Sequence, residues 1–169
     1  TRKPEANVYN SAYMTLEQVL KVMEESAGAG LSVARVHTGD PSVFGAIREQ
    51  MDALDKMGIP YTVIPGVSSF LGAAASLKKE YTLSGVSQTV ILTRMEGRTP
   101  VPEREKITEL AKHRATMVIF LSVGMIEELC EMLCTSYDED TPAAVVYKAT
   151  WEDERIVRGT LKDIAGKVK

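Results

Sequence analysis

The chain has 169 residues, of which 44% are apolar and 25% are charged, and its formal net charge is −3. This composition is typical of a soluble globular protein that is long enough to bury a core. A weakly acidic chain with no basic stripe, and with no apolar run of about 18 residues, argues against general nucleic-acid binding and against a membrane-spanning protein.

Helices and strands alternate in the first half of the chain. The pattern Thr15-Leu16-Glu17-Gln18 has the form of a capping box, and Gly28-Ala29-Gly30 would end the helix that it begins. In chain order the sequence predicts a helix over about 15–27, a strand over 32–37, a tight loop over 38–41, a helix over 44–57 closed by Gly58, a strand over 61–64 and a helix of small residues over 67–78.

The second half repeats the alternation. It predicts a strand over 88–93, a polar loop over 94–105, a helix over 104–113, a strand over 116–121, a helix over 124–134, strands over 143–147 and 154–158, and a helix over 160–168. Such alternation favours an α/β fold with mixed, mostly parallel sheets flanked by helices. The charged segment at 78–80 lies in a candidate junction over 78–87.

We therefore predict two α/β domains, over residues 1–82 and 83–169. The chain begins without Met and ends within a predicted helix, so we expect the start of the first domain and the end of the second to be missing.

Neither the cysteines nor the histidines form a metal-binding or catalytic pattern. Cys130 and Cys134 would share one face of a helix, but His37 and His113 are distant in sequence, so we expect ordinary thiols in a reducing cytoplasm and no metal site. His37 is expected at a strand edge and His113 at a helix end. The sequence also contains no Ser-His-Asp signature, no Walker loop and no G-x-G-x-x-G, so no catalytic residue is assigned.

Three loops carry residues suited to ligand binding beyond the carboxyl ends of strands. In the first loop, over 37–41, Gly39 permits a close backbone approach and Asp40 accepts hydrogen bonds. The second, over 64–69, has a Pro-Gly turn that leads into a helix with two hydroxyls. The third, over 93–102, carries Arg94 and Arg98, which suit carboxylates. Taken singly, each is more typical of an ordinary turn, a helix cap or a solvated loop.

Together and in this order, the segments 36–41, 64–69 and 92–102 resemble the tetrapyrrole methylase family, and so does the segment 145–151. The stretch from Arg94 to Pro102 is most similar to members that methylate carbon 11 of cobalt-precorrin-4. The resemblance implies two α/β domains with S-adenosylmethionine in the cleft between them. It further implies a homodimer that converts cobalt-precorrin-4 into cobalt-precorrin-5A in cobalamin biosynthesis.

The resemblance also implies site residues, mostly through main-chain contacts. The cofactor contacts fall on Thr38, Gly39, Asp40, Val43, Ser68, Ser69, Leu121 and Ala149. Because such macrocycles carry many carboxylates, Arg94, Arg98 and Lys148 are candidate substrate contacts. Family members also begin with a strand and a Gly-rich loop, and continue past residue 169, and neither part is present in this sequence.

Three alternatives remain open at this point. One is the aerobic precorrin-4 enzyme or a sibling that methylates another ring carbon. A second is a non-catalytic module that binds a nucleotide-like ligand. A third is a methylase of RNA or protein on the same scaffold, although the absence of a basic stripe argues against RNA.

Overall fold

The structure is a computed structural model that describes residues 4–168. Residues 1–3 and 169, which the predicted domains include, lie outside the described residues. The chain divides into two compact units, one extending to Ser68 and the other beginning at Ser69. The predicted junction over 78–87 falls inside the second unit, and the predicted domain division at residue 82 stays a prediction.

The first unit is built on two helices, α1 (Leu16–Gly28) and α2 (Arg48–Met57), preceded by a 3-10 turn at Ser11–Tyr13. The predicted capping box of α1 is confirmed. The Gln18 amide donates to the Thr15 hydroxyl at 3.3 Å, and the Gln18 side chain accepts from the Thr15 amide at 2.9 Å. Gly58 closes α2 with a φ of 66°, as predicted.

One helix boundary and two strands in the first unit were predicted wrongly. Helix α2 begins at Arg48 rather than at residue 44, because Phe44 and Ala46 have φ values of 53° and 49°, which a right-handed helix excludes. The segments 32–37 and 61–64 are not strands, since neither pairs with another strand within residues 4–168. Their apolar pattern predicted a conformation that requires a hydrogen-bonded neighbour.

The second unit contains all the strands of the described chain. Its elements are α3 (Ser69–Leu77), β1 (Val90–Arg94), α4 (Ile107–Ala111), β2 (Thr116–Phe120), α5 (Ile126–Leu133), β3 (Pro142–Tyr147), β4 (Arg155–Thr160) and α6 (Ile164–Val168), with 3-10 turns at Glu103–Glu105 and Val123–Met125. Each element that the sequence predicted in this region is present, which confirms the α/β class. The strands form one parallel pair and one antiparallel pair, in equal share rather than mostly parallel.

The register of the strand pairs explains where helix α6 begins. In the parallel pair, Val90 of β1 lies opposite Thr116 of β2, and Arg94 lies opposite Phe120. In the antiparallel pair, Thr160 lies opposite Pro142. Because Thr160 still belongs to β4, helix α6 begins at Ile164 instead of at residue 160.

A compact apolar core lies beneath these strands. Its buried members come from α4, α5, α6 and the loops that follow β1 and β4, and they are Met95, Ile107, Ala111, Cys130, Leu133, Leu161 and Ile164. Ile164 is only 2% exposed. Cys130 and Cys134 are both free thiols, and burial raises the pKa of Cys130. Among residues 4–168, no helix has the length and apolar content needed to cross a bilayer.

Candidate functional site

Asp40 joins the first two predicted loops. One of its carboxylate oxygens accepts from the Ser42 amide at 2.8 Å and from the Ser42 hydroxyl, and the other accepts from the Gly66 amide at 2.8 Å. These bonds, above all that from the Ser42 hydroxyl, lower the pKa of Asp40. The carboxylate therefore holds the Pro-Gly turn against the loop over 38–41.

The same two loops approach so closely that only glycine fits at residue 66. A Cβ atom on Gly66 would lie 2.2 Å from the Gly39 carbonyl oxygen. Gly39 itself has a φ of 71°, in the left-handed region that favours glycine. The sequence predicted a close backbone approach to a ligand at Gly39. In the structure, the backbone of Gly66 makes a close approach to the Gly39 carbonyl.

Main-chain groups remain available around this clamp. Thr38 and Gly39 are exposed, and their amides donate to no protein group within residues 4–168. Val43 is half-buried, and its amide donates to the Asp40 carbonyl at 3.3 Å. Ser68 is buried, two residues after Gly66. The first unit therefore presents free backbone donors where the cofactor contacts were predicted.

In the second unit, the other three predicted cofactor residues lie near the start of α3. Ser69 is the first residue of that helix. Phe70, the next residue, stacks edge-to-face on Phe120 with 6.4 Å between ring centroids, and Leu121 directly follows Phe120. Ala149 lies near Gly72, one turn further along α3, where an added Cβ atom would be 3.5 Å from the Ala149 Cβ. Packing thus brings Ser69, Leu121 and Ala149 to one neighbourhood.

The backbone in this neighbourhood is strained. Leu121, Lys148 and Thr150 have φ values of 56°, 48° and 71°, although none of them is glycine. A non-glycine residue with a left-handed φ has a strained backbone, and such residues are concentrated at functional sites. Leu121 is also 79% exposed, and the Ala149 amide donates to no protein group in the described chain. These features fit a segment whose main chain faces a ligand.

Sequence reasoning missed two residues that hold this neighbourhood together. Ser122 is 3% exposed, and its hydroxyl accepts from the Met95 amide at 3.0 Å and donates to the Phe120 carbonyl at 2.7 Å, so it joins the ends of β1 and β2. Glu154 accepts hydrogen bonds from both α3 and the Ala149 turn. A serine directly after an apolar strand was the only local signal, and Glu154 gave none.

The two predicted arginines differ in their contacts. The Arg94 guanidinium donates to the carbonyls of Met95, Thr99 and Pro100 at 3.0, 3.1 and 3.3 Å, so it organises its own loop. Arg98 is exposed and forms no hydrogen bond or ion pair with any residue of 4–168. Of the two, Arg98 is the one whose entire charged fork is available to an anion.

Lys148, the third predicted cation, is exposed but paired. Its ammonium lies 2.6 Å from the Asp153 carboxylate and stands 5.4 Å from the ring centroid of Tyr147 and 5.9 Å from that of Trp151. The pKa of Lys148 is raised, chiefly by the bond to Asp153. A substrate carboxylate at Lys148 would have to compete with Asp153.

The histidines and acidic side chains form no metal centre in the described part of the chain, where no group of three or more potential ligands is placed to hold an ion. His37 is half-buried, and burial lowers its pKa, which favours the neutral ring. Helix α4 ends at Ala111, so His113 follows it in a turn rather than ending it.

Comparison with known proteins gives consistent matches. The chain matches the family of tetrapyrrole (corrin/porphyrin) methylases over residues 2–165. It is 59% identical, over 99% of its length, to a cobalt-precorrin-4 C(11)-methyltransferase of Methanocaldococcus jannaschii, of which it covers 65%. The chain therefore spans slightly less than two thirds of that relative.

Solved structures agree. The X-ray structure of a cobalamin biosynthetic enzyme, a cobalt precorrin-4 methyltransferase, matches with a TM-score of 0.95 and 48% identity, over 98% of this chain and 70% of that one. A uroporphyrin-III C-methyltransferase of Thermus thermophilus, crystallised with S-adenosylhomocysteine, matches with a TM-score of 0.75 and 26% identity, over 91% of this chain and 68% of that one. The loops, the fold and these matches together establish that the chain belongs to the tetrapyrrole methylase family.

Proposed function

We propose that the protein is an S-adenosylmethionine-dependent methyltransferase that methylates carbon 11 of cobalt-precorrin-4 to give cobalt-precorrin-5A in cobalamin biosynthesis. The observation that carries the proposal is the 59% identity, over nearly the whole chain, to a relative named for this reaction. The TM-score of 0.95 to a cobalt precorrin-4 methyltransferase supports it from the side of structure.

The cofactor assignment is supported by the chemistry of the available groups. The backbone amides of Thr38, Gly39 and Ala149, which donate to no protein group within residues 4–168, are suited to the polar groups of a nucleoside and an amino acid. Bound S-adenosylmethionine would supply a methyl group attached to a sulfonium sulfur. When the methyl group is transferred, the rest of the molecule leaves as a neutral thioether. The residues proposed to hold it are Thr38, Gly39, Asp40, Val43 and Ser68 in the first unit, and Ser69, Leu121 and Ala149 in the second.

The proposed work of the protein is alignment more than acid–base chemistry. Orientation of two reacting groups supplies up to about 7–11 kcal/mol of the barrier. Rigid placement is what Asp40 provides for the loop over 38–41 and what Ser122 provides for the ends of β1 and β2. This role agrees with a sequence in which no acid–base constellation was found.

Substrate recognition is assigned to cations. The guanidinium of Arg98, which has no partner among residues 4–168, can form a bidentate pair with a carboxylate of the macrocycle, whereas Arg94 shapes the loop that carries Arg98. Lys148 would bind a substrate carboxylate less tightly than Arg98, because it must first give up its ion pair with Asp153.

The test is to incubate the full-length protein with methyl-labelled S-adenosylmethionine and cobalt-precorrin-4, and to locate the label on the product. Label at carbon 11 is expected. Faster transfer to metal-free precorrin-4 would indicate the aerobic enzyme, and label on another carbon would indicate a sibling. Tight cofactor binding without transfer to any tetrapyrrole would favour a non-catalytic binding module.

We also propose a cytoplasmic homodimer. The free thiols of Cys130 and Cys134 suit a reducing compartment. Exposed apolar side chains in the first unit, such as Tyr13, Val36 and Ile64 at 88%, 77% and 77% exposure, suit burial against another surface. Light scattering of the full-length protein would report a mass of two chains, and a monomeric mass would exclude the dimer.

A further inference from the structure

One face of α3 packs against the turn that carries Ala149. Ser69, Gly72 and Ser76 are spaced i, i+3 and i+7, which places them on the same side of the helix. Gly72 is buried, and a Cβ atom there would lie 3.3 Å from the Thr150 methyl group and 3.5 Å from the Ala149 Cβ. The helix and the turn are therefore in close contact at Gly72.

Glu154 ties the same two elements together by hydrogen bonds. A single oxygen, Oε2, accepts from the Ser76 hydroxyl at 2.6 Å and from the Thr150 amide at 2.6 Å. These bonds, with that from Ser76 the larger, lower the pKa of Glu154, so the side chain is a carboxylate at neutral pH. Bonds to an ionised acceptor are the stronger kind of protein hydrogen bond.

The turn that Glu154 holds needs such support. Lys148 and Thr150, on either side of Ala149, both have left-handed φ values. Two backbone bonds shape the turn, from the Trp151 amide to the Lys148 carbonyl at 3.0 Å and from the Glu154 amide to the Trp151 carbonyl at 3.1 Å. Strained conformations persist only where surrounding contacts over-determine them, and the Glu154 carboxylate adds a contact from outside the turn's own backbone.

We propose that Glu154 is a positioning residue that holds the Ala149 turn against α3, so that Ser69 and Ala149 keep a fixed spacing for the methyl donor. Glu154 acts through Ser76 and Thr150 and does not touch the donor. The inference rests on the proposed function, because it requires S-adenosylmethionine to bind at Ser69 and Ala149.

The experiment measures the S-adenosylmethionine dissociation constant by calorimetry, on the full-length protein and its variants. Glu154→Ala is expected to weaken binding about tenfold or more, because it removes both bonds. Glu154→Gln is expected to restore most of the affinity, since the amide oxygen accepts the same two bonds. Ser76→Ala should give an intermediate loss of about threefold. Glu152→Ala is the matched control, because this exposed carboxylate in the same turn has no partner within residues 4–168.

A second readout separates positioning from general stability. In folded Glu154→Ala protein the KM for cobalt-precorrin-4 should rise by less than the affinity for the methyl donor falls, because Lys148 is the single candidate substrate contact proposed in this turn. If Glu154→Ala does not fold, Ser76→Ala decides: weakened donor binding with an unchanged Glu152→Ala control supports the role, and wild-type binding overturns it.

The proposed function and the positioning role of Glu154 are overturned by different results. If the wild-type protein binds and transfers the methyl group, but Glu154→Ala or Ser76→Ala binds the donor as tightly as wild type, only the positioning role of Glu154 is wrong. If the wild-type protein neither binds S-adenosylmethionine nor transfers its methyl group, the proposed function fails, and the role of Glu154 falls with it.

Discussion

The two units hold their predicted binding segments in different ways. In the first unit, the loop over 38–41 is fixed by the hydrogen bonds of one side chain, Asp40, and the neighbouring apolar segments stay exposed. In the second unit, Leu121 and Ala149 follow the ends of β2 and β3, above a core that includes Ile164. A binding loop can thus depend on one polar clamp or on a packed scaffold, and the two should respond differently to substitution.

The largest expected effect concerns the scaffold of the second unit. Ile164→Ala should lower the free energy of unfolding by about 3 kcal/mol, because it leaves a cavity at a side chain that is 2% exposed. Glu24→Ala in the first unit, at an exposed position on α1, should change it by no more than about 0.5 kcal/mol. Equilibrium unfolding in urea would measure both, and equal losses would remove the contrast between the units.

The next effect concerns the close approach in the first unit. Gly66→Ala places a methyl group on the Gly39 carbonyl oxygen, so the two loops must separate, and cofactor affinity should fall about a hundredfold. Gly28→Ala is the control, since an added Cβ atom at Gly28 meets no atom within 4 Å. Calorimetric titration with S-adenosylmethionine is the measurement. Wild-type affinity in Gly66→Ala would show that the spacing of these loops does not matter for binding.

A smaller effect is expected from removal of the clamp itself. Asp40→Ala releases the Gly66 and Ser42 amides but introduces no clash, so cofactor affinity should fall about tenfold. Glu49→Ala serves as the control, because this exposed carboxylate on α2 has no partner in the described chain. The same titration applies, and an Asp40→Ala protein that binds as wild type would mean that backbone contacts alone fix the loop.

The narrowest effect is expected at Arg98, where only the KM for the tetrapyrrole should change. Arg98→Ala should raise the KM for the tetrapyrrole about tenfold, through the loss of one bidentate pair, and leave cofactor affinity and unfolding unchanged. Arg104→Ala is the control. Arg104 is also an exposed arginine, but it lies outside the loop over 94–102, and its guanidinium is already paired with the Glu105 carboxylate at 3.7 Å. Steady-state kinetics with varied substrate would test it. An unchanged KM would place substrate recognition elsewhere than on the loop over 94–102.

The contrast between the units also sets what could be predicted from sequence. In the second unit, apolar strands pair with each other, and their positions were predicted to within a few residues. Errors there came from tertiary pairing, as at Thr160, which register keeps in β4. In the first unit, the segments 32–37 and 61–64 have the apolar composition of strands but no partner within the described residues, so the pattern misled.

The candidate site divides along the same line. Motif residues such as Thr38, Gly39 and Ala149 could be proposed from local sequence, because turns and family motifs are local, and their cofactor contacts stay a prediction. The uses of Asp40, Arg94 and Glu154 were not, because each depends on partners that only folding brings near, such as Gly66 for Asp40 and Ser76 for Glu154. Charge and spacing indicate which side chains can bind a ligand, but they do not indicate which of them form hydrogen bonds within the folded chain.

The left-handed residues at 121, 148 and 150 bear on attempts to make this protein more heat-resistant. Glycine adopts such angles freely, whereas leucine, lysine and threonine do so at an energetic disadvantage of about 1–2 kcal/mol each. Selection for thermal tolerance alone would consequently enrich glycine at these three sites. Such variants would be more stable, but the segments proposed to bind the methyl donor would lose their fixed backbone shape. Stability and the proposed activity would therefore change in opposite directions at these sites.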